Sequence, residues 1–155
     1  CAAFGGKKEI MNQIAPLGPI YQAGTLSGNP LSMASGLAML SALESDKSFY
    51  ENLGKRSQYL VDGIVSEAKA QNIPMTSNSV GGMFGLFFSS EKNVSNFSQA
   101  SSCNIELFKK FYNAMLKQGI YLAPSAYEAG FLSNAHTDDD LDKTINAAST
   151  AFSLI

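Results

Sequence analysis

The stretch Tyr21-Gln22-Ala23-Gly24-Thr25-Leu26-Ser27-Gly28-Asn29-Pro30 decides how the chain is read. Two glycines, two hydroxyls and an Asn-Pro step stand directly ahead of an apolar run rich in Ala and Met. Asn29 has the side chain of a helix N-cap, and Pro30 suits the first helical position, where a missing N–H costs nothing. The spacing predicts a helix over 30–44, with Leu31, Ala34, Leu37, Ala38 and Leu40 covering much of its circumference. Such a helix is expected to be buried rather than amphipathic. Its first-turn N–H groups are expected to point back into the glycine loop, and an N-terminus approached by Gly, Ser and Thr is a ready anion site. The same pattern also describes a capped helix after an ordinary loop, because glycine-rich motifs recur by accident.

Working outward, residues 1–4 read as the end of a strand closed by Gly5-Gly6, and 7–11 as a short helix. Pro16, Gly18 and Pro19 demand a loop. Downstream, Ser45 is a candidate cap for a long helix over 46–71, in which Phe49, Leu53, Leu60, Ile64 and Ala68 recur at helical spacing. Asn72-Ile73-Pro74 ends it. Residues 75–80 and 83–89 read as two strands around Gly81-Gly82, with Phe84, Leu86 and Phe88 on one face of the second. The Ser- and Asn-rich stretch 90–102 reads as a mobile loop. A helix over 104–118, a short strand over 120–122 and a last helix after Thr137 follow. Thr137 and Asp140 have capping-box spacing, and Leu141, Ile145, Ala148 and Phe152 form the buried side of that helix.

This order is α/β in class: the end of one domain over 1–44, then a small α+β domain over 45–155. In that domain helices should cover one face of a short, mostly antiparallel sheet.

The chain has 155 residues, 45% hydrophobic and 15% charged, which is a globular rather than a disordered composition. A net charge of −2 supplies no basic field for nucleic acid, and no apolar run approaches the roughly 20 residues of a membrane span. Neither nucleic acid nor membrane is an expected partner. Cys1 and Cys103 have neither metal nor redox spacing. With no signal-peptide pattern at the N-terminus, a reducing, cytoplasmic setting is expected.

Two groups of residues carry a family resemblance. Ala3-Phe4-Gly5-Gly6-Lys7-Lys8-Glu9-Ile10-Met11 and Gly24-Thr25-Leu26-Ser27-Gly28-Asn29-Pro30-Leu31 form the first. Ala123-Pro124-Ser125, Glu128-Ala129-Gly130-Phe131-Leu132-Ser133 and Ala135-His136-Thr137 form the second. In this order they resemble the glutamate-1-semialdehyde 2,1-aminomutase family. The Gly-Thr-x-x-Gly-Asn-Pro piece alone indicates the wider class of fold-type-I pyridoxal-phosphate aminotransferases. Relatives usually have Pro-x-Gly-Ala before the Gly-Gly pair, and Ala2 stands where that Gly would be.

The resemblance implies isomerisation of glutamate-1-semialdehyde to 5-aminolevulinate for tetrapyrrole synthesis, with pyridoxal or pyridoxamine 5′-phosphate as cofactor. It implies a homodimer with the cofactor site at the subunit interface and a small amino aldehyde as substrate. Thr25, beside Gly24, is implied to donate its hydroxyl to the cofactor phosphate of the partner subunit. Glu128 is implied to face the substrate. No catalytic residue is assigned within this chain, because the Schiff-base lysine is expected ahead of Cys1. The chain is therefore expected to be the C-terminal part of a longer enzyme, inactive alone. Lys7 and Lys8 follow the Gly-Gly pair, but the family's residue there is basic without being the Schiff-base lysine, and a solvated helix start is expected.

His136, the single histidine, is expected to act structurally before the Thr137 cap. Without a nearby Cys or second His, no metal site is expected. Ser125 and Tyr127 neighbour Glu128 and are candidates for the same pocket. Two rival readings are an ordinary aminotransferase of the same fold and a non-catalytic dimerisation or packing domain.

Overall fold

The computed structural model describes residues 2–155, in two compact units, Cys1–Lys47 and Ser48–Ile155. The strand expected over 1–4 lies partly outside the described residues at Cys1, and residues 2–4 form no strand.

The first unit contains α1 (Lys8–Met11) and α2 (Pro30–Ser45). Asn29 caps α2 and Pro30 opens it, as the sequence requires. None of the residues of α2 is buried, contrary to expectation. The apolar side chains run all round the helix, and no second long element of the unit lies against them. Ser45, expected to cap the next helix, belongs to the end of α2, where its hydroxyl donates to the Ala42 carbonyl at 2.8 Å.

The second unit begins with α3 (Phe49–Ala70), whose N-cap position is Ser48. Leu53, Ser57, Leu60, Val61, Ile64 and Ala68 form its buried stripe. The helix ends where Asn72 turns to φ 58° and the Ile73 N–H reaches back to the Ala68 carbonyl at 2.9 Å. This is a Schellman closure with Asn in the left-handed position.

Strands β1 (Thr76–Val80) and β2 (Met83–Phe87) then pair antiparallel, with Val80 opposite Met83. Gly81 makes the tight turn at φ 57°, a conformation a side chain would resist. The third strand, β3 (Gly130–Phe131), pairs antiparallel with the other edge of β2. The strand expected over 120–122 does not form. On that side of β2, β3 pairs with Met83 and Phe84 alone, and residues 120–122 pair with no strand.

The stretch 90–102 is irregular over 90–96, as its composition leads one to expect, but not throughout. It holds α4 (Phe97–Ser101), capped by the Asn96 side chain on the Gln99 N–H at 3.0 Å. The Gln99 side chain returns to the Ser95 N–H at 2.8 Å and the Asn96 amide at 3.2 Å. These reciprocal bonds satisfy donors that a free loop would leave to water.

Helices α5 (Ile105–Lys117) and α6 (Asp138–Phe152) complete the layer over the sheet. Phe84 and Phe88 on the inner side of the second-strand segment meet the helices. Phe111 and Phe152 stack with centroids 4.7 Å apart, and Phe88 meets Phe111 edge-on at 5.5 Å. The one buried polar residue among those described, Ser57, sits with its hydroxyl 3.0 Å from that of Ser79 and so ties α3 to β1. The architecture is thus a short antiparallel sheet with helices over one face.

Candidate functional site

Two regions hold the site residues expected from sequence, one in each unit. In the first, Gly24 to Gly28 forms a pair of tight turns. The Ser27 N–H donates to the Gly24 carbonyl at 2.9 Å, and the Asn29 N–H to the Leu26 carbonyl at 3.1 Å. A Cβ on Gly24 would come 2.8 Å from the Ser27 hydroxyl oxygen, so a side chain there would make that hydroxyl turn away. Thr25 makes no hydrogen bond among the described residues, by backbone or hydroxyl.

The start of α2 differs from expectation. Asn29 Oδ1 accepts both the Leu31 N–H at 3.1 Å and the Ser32 N–H at 3.2 Å. The Met33 N–H reaches the Asn29 carbonyl at 2.9 Å, and Pro30 has no N–H to offer. The helix donors are therefore consumed by the cap. An anion at this loop would be met by the Thr25 hydroxyl and by loop N–H groups such as those of Thr25 and Leu26. A hydroxyl and adjacent N–H donors, with no acidic side chain over 21–30, fit a phosphate.

In the second unit, a turn from Ser125 to Glu128 positions the acid. The Glu128 N–H donates to the Ser125 carbonyl at 3.1 Å, and the Tyr127 N–H to the Ser125 hydroxyl at 3.2 Å. Glu128 borders a cavity of about 230 Å³ whose apolar walls include Leu60, Phe84, Phe108 and Leu132. Ser125, His136, Asp140 and Thr144 add its polar groups. Glu128 is exposed, and its carboxylate has no hydrogen bond or ion pair among the described residues. Ser125 shares this cavity. Tyr127 instead lines a groove outside the sheet, which Glu128 also borders, with its ring 5.9 Å from that of Phe97.

His136 does structural work. Its Nδ1 accepts the Ser133 N–H at 3.0 Å, and its own N–H donates to the Ser133 carbonyl at 3.2 Å. The next residue starts α6 with a complete capping box. Asp140 Oδ2 accepts the Thr137 N–H at 2.7 Å, and Thr137 Oγ1 accepts the Asp140 N–H at 3.2 Å. The Thr137 backbone N–H and, second, the Thr137 hydroxyl, which donates to Asp140 Oδ2 at 2.8 Å, hold the Asp140 carboxyl below its usual range.

Arg56 was not legible as a site residue, being one of several charges off the apolar stripe of α3. Its Nε donates to Asp138 Oδ1 at 3.0 Å and its Nη2 to the His136 carbonyl. Only the folded chain brings these groups together, across some 80 residues.

Lys7 and Lys8 are exposed at the start of α1, the solvated position expected of them. Among the described residues, no group of three His, Cys, Asp or Glu could hold a metal ion, and no helix is long and apolar enough to cross a membrane.

The model of the aminotransferase class-III family matches residues 1–151. Solved structures share the fold. An omega-transaminase from Sphaerobacter thermophilus is 20% identical at a TM-score of 0.77, over 96% of this chain and 34% of that one. A transaminase solved with PLP bound is 20% identical at 0.76, over 96% and 34%. A beta-phenylalanine aminotransferase from Variovorax paradoxus is 23% identical at 0.77, over 94% and 33%. The chain thus spans about a third of the length of these proteins. With 151 of its 155 residues matched, it belongs to the class-III aminotransferases, a family whose cofactor is pyridoxal phosphate.

Proposed function

We propose that this chain serves a pyridoxal-phosphate enzyme that moves amino groups, and that its substrate is glutamate-1-semialdehyde, isomerised to 5-aminolevulinate. Membership of the class-III family supports the amino-group chemistry. The finer reading is carried by Glu128, an unpaired carboxylate at a cavity edge within the Glu-Ala-Gly-Phe sequence.

Bound pyridoxal phosphate supplies the electron sink through which amino groups are exchanged. The residues of this chain bind and select. The Thr25 hydroxyl donates to the cofactor phosphate, across the interface of a homodimer. Gly24 leaves room for the Ser27 hydroxyl beside it. Glu128 attracts the ammonium groups at the reacting end of an amino aldehyde and repels the carboxylate of competing amino acids. His136 holds the turn that follows β3, so the loop bearing Glu128 has an ordered end.

An ordinary amino-group transfer between a separate donor and acceptor is the second reading. The relatives named above, all transaminases, favour it. Supplying the intact enzyme with glutamate-1-semialdehyde and no other amine separates the two. Catalytic accumulation of 5-aminolevulinate supports isomerisation. Turnover only when an external amino donor and acceptor are both present supports the second reading and removes the first.

A further inference from the structure

We propose that Arg56 is a positioning residue for the Glu128 loop, acting through the backbone of the His136 turn. Arg56 projects from α3 beside the buried Ser57, with its side chain 22% exposed. Its two bonds diverge from one planar group, Nε to the Asp138 carboxylate and Nη2 to the His136 carbonyl. A guanidinium can hold such a pair of acceptors in one geometry, whereas an ammonium is a point charge without the fork.

The two bonds differ in what they hold. The Asp138 side chain is 87% exposed, so the ion pair is of the weak surface kind. The other bond grips the chain itself. His136 closes its turn on Ser133 by both its ring nitrogen and its backbone N–H, and the Ala135 N–H adds a bond to the Ser133 hydroxyl at 3.0 Å. Just before this turn, the Leu132 N–H is fixed to the Gly82 carbonyl at 2.7 Å, and Leu132 is buried. The segment after Glu128 is therefore held first to the sheet, by the β3 pairing with β2 and by the Leu132 bond to the β1–β2 turn, and then, through His136, to α3. Glu128 has no bond of its own side chain to fix it. Its placement depends on the Ser125 turn on one side and on this doubly anchored segment on the other. The consequence for turnover rests on reading Glu128 as substrate-facing; the consequence for loop order does not.

The test compares Arg56→Ala, Arg56→Lys, Asp138→Asn and Glu128→Gln in the intact, cofactor-loaded enzyme. Amide hydrogen exchange of peptides over 129–137 is the deciding readout. Arg56→Ala should speed exchange there by roughly tenfold, the scale of one lost bond to a charged group. Peptides from the cores of α3 and α5 should exchange as in the wild type. Asp138→Asn should change little, because the grip on His136 remains. The KM for glutamate-1-semialdehyde should rise in Arg56→Ala by more than kcat falls. Wild-type exchange over 129–137 in Arg56→Ala overturns the proposal, as does equal loosening in Asp138→Asn, which would make Arg56 only an ion-pair partner. If Arg56→Ala unfolds the domain, Arg56→Lys decides by the same exchange criterion, since it keeps the stem and charge but not the fork. Unaltered kinetics in Glu128→Gln would remove the substrate-facing reading of that residue and leave the exchange result to judge Arg56.

Discussion

Gly63 on α3 lies so close to Ile145 on α6 that a Cβ at Gly63 would come 2.4 Å from Ile145 Cδ1 and 2.8 Å from its Cγ1. A glycine inside a helix costs up to about 1 kcal/mol relative to alanine. Here it permits the helix crossing that closes one side of the core. Gly63→Ala should regain that propensity yet lose more to overpacking, which costs about 1–3 kcal/mol. The expected net loss is about 1 kcal/mol in urea unfolding. Adding Ile145→Val should recover part of it, because the two positions are in contact. A Gly63→Ala variant more stable than the wild type would contradict this packing.

The Thr137–Asp140 capping box gives a dependence on pH with a definite sign. Asp140 has its carboxyl lowered in the folded state by bonds from Thr137. A lowered carboxyl stabilises the fold above its unfolded-state value and loses that contribution as pH falls through the folded value. The contribution should be constant near neutrality and fade on the acid side of the ordinary Asp range. Asp140→Asn should flatten part of the acid slope of the unfolding midpoint. Thr137→Ala should cost about 1 kcal/mol of cap energy at neutral pH and move the Asp140 carboxyl back toward its ordinary value in an NMR titration. An Asp140 resonance that titrates identically in the two proteins would refute the coupling.

Thr25 has a hydroxyl and an N–H that bond to no other described residue. If that hydroxyl meets the cofactor phosphate, Thr25→Ala in the intact enzyme should weaken cofactor binding. A hydrogen bond to a charged group is worth about 1.5–3 kcal/mol, or roughly ten- to a hundredfold in Kd. Equilibrium dialysis against pyridoxal phosphate reads the change directly. An unaltered Kd would assign the phosphate contact elsewhere.

The elements read correctly from sequence are those announced by local chemistry. Asn29-Pro30 marks the start of α2, Asn72-Ile73-Pro74 the end of α3, and Thr137 with Asp140 the start of α6. Each is a short-range hydrogen-bond problem with few solutions. The errors have equally local causes. Asn96 and Gln99 have capping spacing, and that local signal starts α4 despite the loop-forming Ser and Asn residues around it. Residues 120–122 look like a strand, yet pairing depends on which segment reaches the edge of β2, and Gly130–Phe131 does.

The site was legible only where a motif stood on one segment. Thr25 and Glu128 could be named from their neighbours in sequence. Arg56 could not, because its partners His136 and Asp138 lie some 80 residues away. Asn29-Pro30 announces the cap of α2 but not its effect: the side chain that starts the helix also occupies the donors an anion would need.

The most direct measurement is the comparison of isomerisation and ordinary transamination in wild type and Glu128→Gln of the intact enzyme. The substitution changes charge and little shape, and the exposed side chain makes no bond among the described residues, so folding and cofactor content should be preserved. Removing the carboxylate removes both its attraction for amines and its repulsion of a competing carboxylate. Conversion of glutamate-1-semialdehyde to 5-aminolevulinate should slow, and amino transfer from glutamate should become faster. A full isomerisation rate with no new tolerance for glutamate would contradict this expectation and leave Glu128 as a surface carboxylate.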